Sequence, residues 1–139
     1  MSLAGAVIAF DLDGTLVDTA GDLVGSVNQL LVEQGLPPVA FEAGKRMIGG
    51  GVRALVERVL IAEGAPAEDA ALDAAVDRYT EIYRGRIAQE SRPYPGVPET
   101  LDRLAADGAR LTVCTNKRTP LAIALLDALD LTSRFAAVV

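Results

Sequence analysis

Ala6-Val7-Ile8-Ala9-Phe10-Asp11-Leu12-Asp13-Gly14-Thr15-Leu16-Val17-Asp18 is the stretch whose reading decides the fold. Its first five residues are apolar, two of them β-branched, and predict a strand buried on both faces. Asp11 and Asp13 follow one residue apart at its carboxyl end, and Gly14 then turns the chain. In open α/β sheets, ligands bind just beyond the carboxyl ends of the strands. A rigid element therefore delivers two carboxylates to a place suited to chemistry. Uncompensated acids at the mouth of an apolar strand are electrostatically costly, and a hard divalent cation with oxygen ligands relieves that cost. Asp-x-Asp alone fits a strand ending in a polar turn equally well. The whole run from Asp11 to Asp18 does not, because turns do not demand this order of residues.

Outside this stretch, composition narrows the field. A chain of 139 residues, half of them hydrophobic, forms one domain with room for an inserted subdomain. With three Phe, three Tyr and no Trp, its core is built mainly from Leu, Val, Ile and Ala. The net charge of −6 argues against nucleic acid or an anionic membrane as the main partner, since both need a basic surface. An acidic protein can still bind phosphate esters through a metal or local donors. The single cysteine, Cys114, excludes an intrachain disulfide and reads as a buried strand residue beside Leu111 and Val113. The absence of histidine removes Ser-His-Asp and Cys-His catalysis and His-ligated zinc from within this chain. No apolar run reaches the roughly 18 residues of a membrane span. The N-terminus has no basic region of a signal peptide, so a cytoplasmic location is expected.

After Asp18 the period changes. Thr19 is a candidate N-cap, with Leu23, Val27, Leu30 and Leu31 as the helix's apolar stripe and Gly35 as its stop. A short helix is expected over Phe41 to Met47. Gly49-Gly50-Gly51 breaks the chain, and Val52, Leu55, Val56, Val59 and Leu60 then follow at strong helical spacing. Gly64 ends that helix and Pro66 helps start another, whose buried face is Leu72, Val76, Tyr79, Tyr83 and Ile87. Arg92-Pro93-Tyr94-Pro95-Gly96-Val97 reads as a return linker. Beyond it come a helix from Pro98 to Gly108, a strand from Leu111 to Thr115, a helix from Thr119-Pro120 and a third strand from Phe135 to Val139. This order predicts an α/β fold, a three-layer parallel-sheet (Rossmann-like) core, here truncated, with an all-helical insert. Residues 1–16 and 93–139 form the discontinuous core in this reading, and residues 17–92 the helical insert.

The Asp11–Asp18 run closely resembles the first motif of the haloacid dehalogenase-like (HAD) superfamily of phosphatases. The resemblance implies that Asp11 is the nucleophile, forming an aspartyl-phosphate, and that Asp13 is the general acid and then the base. It also implies Mg2+ as cofactor, held by Asp11 and Asp13. A carboxylate is a weak nucleophile and a phosphate dianion repels it, so a bridging cation makes chemical sense. Dehalogenases of this superfamily lack the second acid, so Asp13 favours phosphate ester hydrolysis. Thr115-Asn116-Lys117, roughly one hundred residues later, resembles the second motif. There the hydroxyl, here Thr115, holds the transferring phosphoryl group, and Asn116 helps to orient the site. Lys117 is either a substrate contact or a solvated lysine.

The insert is similar in position and helical content to the cap of the phosphoglycolate phosphatase-like branch. Within it, Ile48-Gly49-Gly50-Gly51-Val52-Arg53-Ala54-Leu55 resembles the branch's substrate-specificity loop, in which glycines let backbone N–H groups approach an anion. Read from the residues alone, the same glycines also make a flexible turn. Lys45, Arg46 and Arg53 are the nearest basic groups for a substrate carboxylate. The glycines stand where phosphonoacetaldehyde hydrolases carry a Schiff-base lysine, which disfavours that chemistry. The family's third motif, a lysine, and its fourth, an acidic pair, would both fall after Val139. The chain is therefore expected to be part of a longer protein, and its first strand an apolar sheet edge open to self-association. The leading expectation is a phosphatase for a small-molecule phosphate ester, with 2-phosphoglycolate the best candidate. The alternative is a non-catalytic phosphate-binding or interaction module.

Overall fold

The computed structural model describes residues 2–139. The chain forms two compact units, Met1–Thr19 with Ser91–Val139, and Ala20–Glu90.

In the first unit, strand β1 (Val7–Phe10) pairs in parallel with a later strand, Arg110–Val113, which pairs in parallel with a last one, Ala137–Val138. The register sets Phe10 opposite Val113. A second, two-stranded ladder joins β2 (Val17–Asp18) to β3 (Arg92–Pro93) in antiparallel register, Val17 opposite Pro93 and Asp18 opposite Arg92. Helix α5 (Val97–Ala106) precedes β4 (Arg110–Val113), and α6 (Thr119–Ala128) lies between β4 and β5 (Ala137–Val138). Pro in the first turn suits both helices, because that position has no intrahelical N–H bond to lose. Leu12, Leu101, Leu111, Val113, Leu121, Leu125 and Leu126 are buried and make this unit's core.

The second unit is helical: α1 (Ala20–Glu33), α2 (Phe41–Arg46), α3 (Val52–Ala62) and α4 (Asp69–Arg84). The predicted stripes face inward: Leu23, Val27, Leu30 and Leu31 of α1, Leu55, Val56, Val59 and Leu60 of α3, and Leu72, Val76, Tyr79 and Tyr83 of α4 are all buried. Tyr79 and Tyr83 stack at 5.9 Å, and the Tyr79 hydroxyl donates to the Leu23 carbonyl at 3.2 Å. Buried aromatic hydroxyls generally need such a partner. Asp22 is fully buried and accepts the Glu90 backbone N–H at 2.9 Å, with Arg86 3.4 Å away. Its charge is thereby compensated on both sides.

Four expectations are corrected. Strand β1 is not buried on both faces: Val7 is 64% exposed and Ala9 is exposed, because β1 stands at the edge of the three-stranded sheet. Cys114 is exposed rather than buried, since β4 stops at Val113 and alternation turns Leu111 and Val113 inward instead. The last helix of the insert ends at Arg84, before Ile87, where Gly85 begins a series of turns. The segment expected as an irregular return linker opens with a strand, Arg92–Pro93, paired with Val17–Asp18. Two-residue strands leave no period in a sequence, so neither was visible there.

Candidate active site

The parallel register between β1 and β4 decides the site's layout. Phe10 and Val113 are opposite one another, and the Cys114 N–H donates to the Phe10 carbonyl at 2.8 Å. Asp11 and Thr115 therefore leave the sheet from the carboxyl ends of adjacent strands. Residues 12 to 17 then fold into a tight loop. The Leu12 carbonyl accepts the N–H groups of Thr15, Leu16 and Val17 at 3.0 to 3.2 Å, and the Gly14 N–H donates to the Val17 carbonyl at 2.9 Å. Gly14 adopts φ +78°, a left-handed conformation that explains its place in the run. Leu12 is fully buried beneath the loop. The apolar residue between the two acids thus anchors the turn that presents them.

Each candidate side chain has a defined place. The Asp11 carboxylate is exposed, and its Oδ1 accepts the Leu12 N–H at 2.7 Å. Asp13 Oδ1 accepts the Thr19 hydroxyl at 2.8 Å and lies 3.0 Å from Lys117 Nζ. The Lys117 side chain is only 3% exposed, which overturns the solvated-lysine alternative. Thr115 is half-buried, and its Oγ1 accepts the Lys117 backbone N–H at 3.1 Å, a local turn that fixes the hydroxyl and leaves its proton to donate. Asn116 is exposed in the same turn. The structure thus joins the two sequence motifs directly, through the Lys117–Asp13 pair.

The glycine-rich segment lies in the second unit. Gly49, Gly50 and Gly51 all have positive φ, and Gly51, with φ 93° and ψ 178°, occupies a region essentially closed to other residues. It is the N-cap of α3. Arg58, two turns along α3, donates from one guanidinium nitrogen to the carbonyls of Met47, at 2.9 Å, and Gly49. Arg53 is tied to Asp73 of α4 at 2.7 Å on the surface, and Lys45 lies 6.0 Å above the Phe41 ring. Thr19 and Arg58 are the residues that sequence reasoning missed. From its position Thr19 reads as a helix cap, although a hydroxyl just after the acidic run is itself a usable signal. Arg58 lies off the apolar stripe of α3, so nothing in the periodicity marks it.

The sequence profile of the haloacid dehalogenase-like hydrolases matches residues 8–139. The chain belongs to this family. Among the relatives of this haloacid dehalogenase-like chain, a phosphoglycolate phosphatase of Caulobacter vibrioides is 53% identical over 137 residues, covering 99% of the chain and 58% of the relative. A phosphoglycolate phosphatase of Agrobacterium fabrum is 45% identical over 129 residues, covering 93% and 55%. The crystal structure of a predicted phosphoglycolate phosphatase from Haemophilus somnus superposes with a TM-score of 0.90 at 29% identity, covering all of the chain and 63% of that protein. The haloacid dehalogenase-like chain thus spans less than two thirds of the length of each of these relatives.

The family implies Mg2+. Among the described residues, no three His, Cys, Asp or Glu side chains cluster to hold a metal. Mg2+ does not need such a cage. It is commonly held by one or two carboxylates, waters and a substrate phosphate. The exposed Asp11 carboxylate at a strand end fits that open arrangement. Asp13 Oδ1 is already engaged by an ammonium group, so any share Asp13 takes would fall to its other oxygens.

Proposed function

We propose that this chain carries the nucleophilic half of a Mg2+-dependent phosphomonoesterase acting on a small anionic ester, with 2-phosphoglycolate the leading substrate. One observation carries the reading: the parallel register sets Asp11 and Thr115 at neighbouring strand ends, with Lys117 reaching back to Asp13. The names of the 53% and 45% identical relatives support the choice of substrate. No described helix is long and apolar enough to cross a membrane.

In this reading an Asp11 carboxylate oxygen attacks phosphorus, and the bond from phosphorus to the ester oxygen breaks. Asp13 gives its proton to the departing alkoxide, which leaves as the alcohol. Asp13, now a carboxylate, takes a proton from a water molecule that attacks the aspartyl-phosphate. The bond from phosphorus to the Asp11 oxygen breaks, releasing phosphate and restoring both side chains. The Thr115 hydroxyl donates to a phosphoryl oxygen, and Asn116 adds a second donor to the same turn. Mg2+, when bound at Asp11, would neutralise phosphoryl charge and lower the repulsion between two anions. The backbone N–H groups of Gly49 to Gly51 at the start of α3 are assigned to the substrate's second anionic group. Arg53, paired with Asp73, is assigned a supporting place beside them.

The test is phosphate release from a panel of small phosphate esters, with Mg2+ and with EDTA, using the natural polypeptide that carries these residues. 2-Phosphoglycolate should be among the best substrates, EDTA should stop turnover, and Asp11→Asn should lower it by at least about a thousandfold. Wild-type rates in Asp11→Asn would sink the nucleophile assignment. Phosphate binding without turnover would favour the non-catalytic reading instead.

A further inference from the structure

We infer that Lys117 is a positioning residue: it shares with Thr19 the task of fixing one oxygen of Asp13, so that the other performs the proton transfer. The inference rests on the proposed role of Asp13 and adds a residue to it. Three observations carry it. Lys117 Nζ and the Thr19 hydroxyl converge on the same atom, Asp13 Oδ1, at 3.0 and 2.8 Å. The lysine side chain is almost wholly buried, so this amine has been withdrawn from water to face Asp13. Its backbone is fixed as well, since the Lys117 N–H donates to Thr115 Oγ1 at 3.1 Å.

Withdrawing an ammonium group from water is costly unless an acceptor meets it, and the lone pairs of Asp13 Oδ1 meet it in both the acid and the base form, the transferable proton lying on Oδ2. An exposed lysine would hold Asp13 only loosely, because long flexible side chains seldom fix a geometry at a surface. Here burial removes that freedom. The backbone of Asp13 is tied on its other side, where the Gly14 N–H donates to the Val17 carbonyl. With Oδ1 fixed by two donors, rotation of the carboxyl group is arrested and the direction of Oδ2 is set. A general acid must lie within hydrogen-bond reach of its target atom, so a misdirected carboxyl loses its catalytic contribution even when correctly protonated. Lys117 also makes the second motif bear on the first, since a displacement of the Thr115–Lys117 turn would move the acid as well as the phosphate-binding hydroxyl.

The readout is the leaving group. An alkoxide needs a proton as it departs, whereas nitrophenolate departs as an anion. The measurement is kcat/KM, which reports steps through loss of the alcohol, for the best small alkyl phosphate of the panel and for p-nitrophenyl phosphate. Lys117→Met should lower the alkyl value by about tenfold to a hundredfold more than the aryl value, part of the roughly 10²- to 10⁴-fold that a positioned acid contributes. Lys117→Arg, which keeps a cation within reach, should recover part of that difference. Thr19→Val removes the other donor and should shift the ratio the same way by a smaller factor, which decides the matter if Lys117→Met does not fold. Equal losses on both esters in whichever of these variants fold would overturn the inference. Asp13→Asn separates the two readings. A leaving-group split in Asp13→Asn without one in Lys117→Met or Thr19→Val defeats the positioning role alone. No split in Asp13→Asn defeats the acid assignment and this inference with it.

Discussion

The Asp11–Asp18 loop and the Gly49–Gly51 loop both present backbone and side chains at the end of a regular element, yet they are held in opposite ways. The first is fixed from within. Three N–H groups converge on the Leu12 carbonyl, Leu12 is fully buried, and Asp13 is gripped by Thr19 and Lys117. The second is held from outside, by one surface guanidinium, that of Arg58, laid across two carbonyls. The contrast suits what each is proposed to do. A nucleophile and an acid must be held within a fraction of an ångström. A loop that reads the remainder of a substrate can be softer, and local stability is spread unevenly through proteins in this way.

The comparison can be broken at its rigid end. Leu12→Ala should cost about 2–5 kcal/mol, the range for a fully buried leucine. Urea or thermal denaturation measures it, and a loss below about 1 kcal/mol would mean that the loop does not depend on its anchor. At the soft end, Arg58→Ala should change stability by less than about 1 kcal/mol, since its bonds are solvent-exposed. It should nonetheless raise KM for the best ester severalfold, about fivefold to tenfold, with kcat within about twofold, because an exposed charge-assisted bond is worth roughly 1 kcal/mol. A fall in kcat with KM unchanged would place Arg58 in the chemistry instead.

The smallest effect sharpens the contrast between fixed and surface charge. The Arg78 guanidinium, bonded to Glu33 at 2.6 Å, holds the Glu33 carboxyl below its ordinary 4.5. A carboxyl whose folded pKa is depressed adds stability that is present above its unfolded value and is lost as pH falls through the folded one. This contribution is intact at neutral pH and fades below 4.5. Glu33→Gln should therefore lower Tm by a degree or two at most near neutral pH, as surface pairs do, and by nothing well below pH 4.5. A difference that grows on acidification would contradict the assignment.

The same contrast explains what could be read from the sequence. The order of residues from Asp11 to Asp18 is dictated by local covalent demands: an anchor between two acids, a left-handed turn, a return to the sheet. Such demands leave a signature in adjacent letters. The helical stripes were legible for a similar reason, since burial of one face repeats with the helical turn. Lys117 and Arg58 act across folded distance, through partners 104 and 9 to 11 residues away, and a charged residue's partner is not written beside it. Cys114 and Val7 are exposed although their apolar neighbours suggest burial, because the end of a strand is a property of the pairing; the edge position of β1 itself is as expected.

The short ladder of Val17–Asp18 with Arg92–Pro93 has a consequence for how the chain tolerates change. The two ends of the intervening segment are already tied at strand-pair distance within the first unit. To that unit the helical residues are a single closed excursion, and lengthening a closed excursion costs only a slowly growing, logarithmic entropy. Register in the parallel sheet is set by residues outside it. The segment from 20 to 90 is thus a natural place for transplantation: a differently shaped body could be spliced between Thr19 and Ser91 while the strand ends bearing Asp11 and Thr115 keep their pairing. The proposed division between selectivity and chemistry would then be open to test by cutting the chain at two neighbouring points.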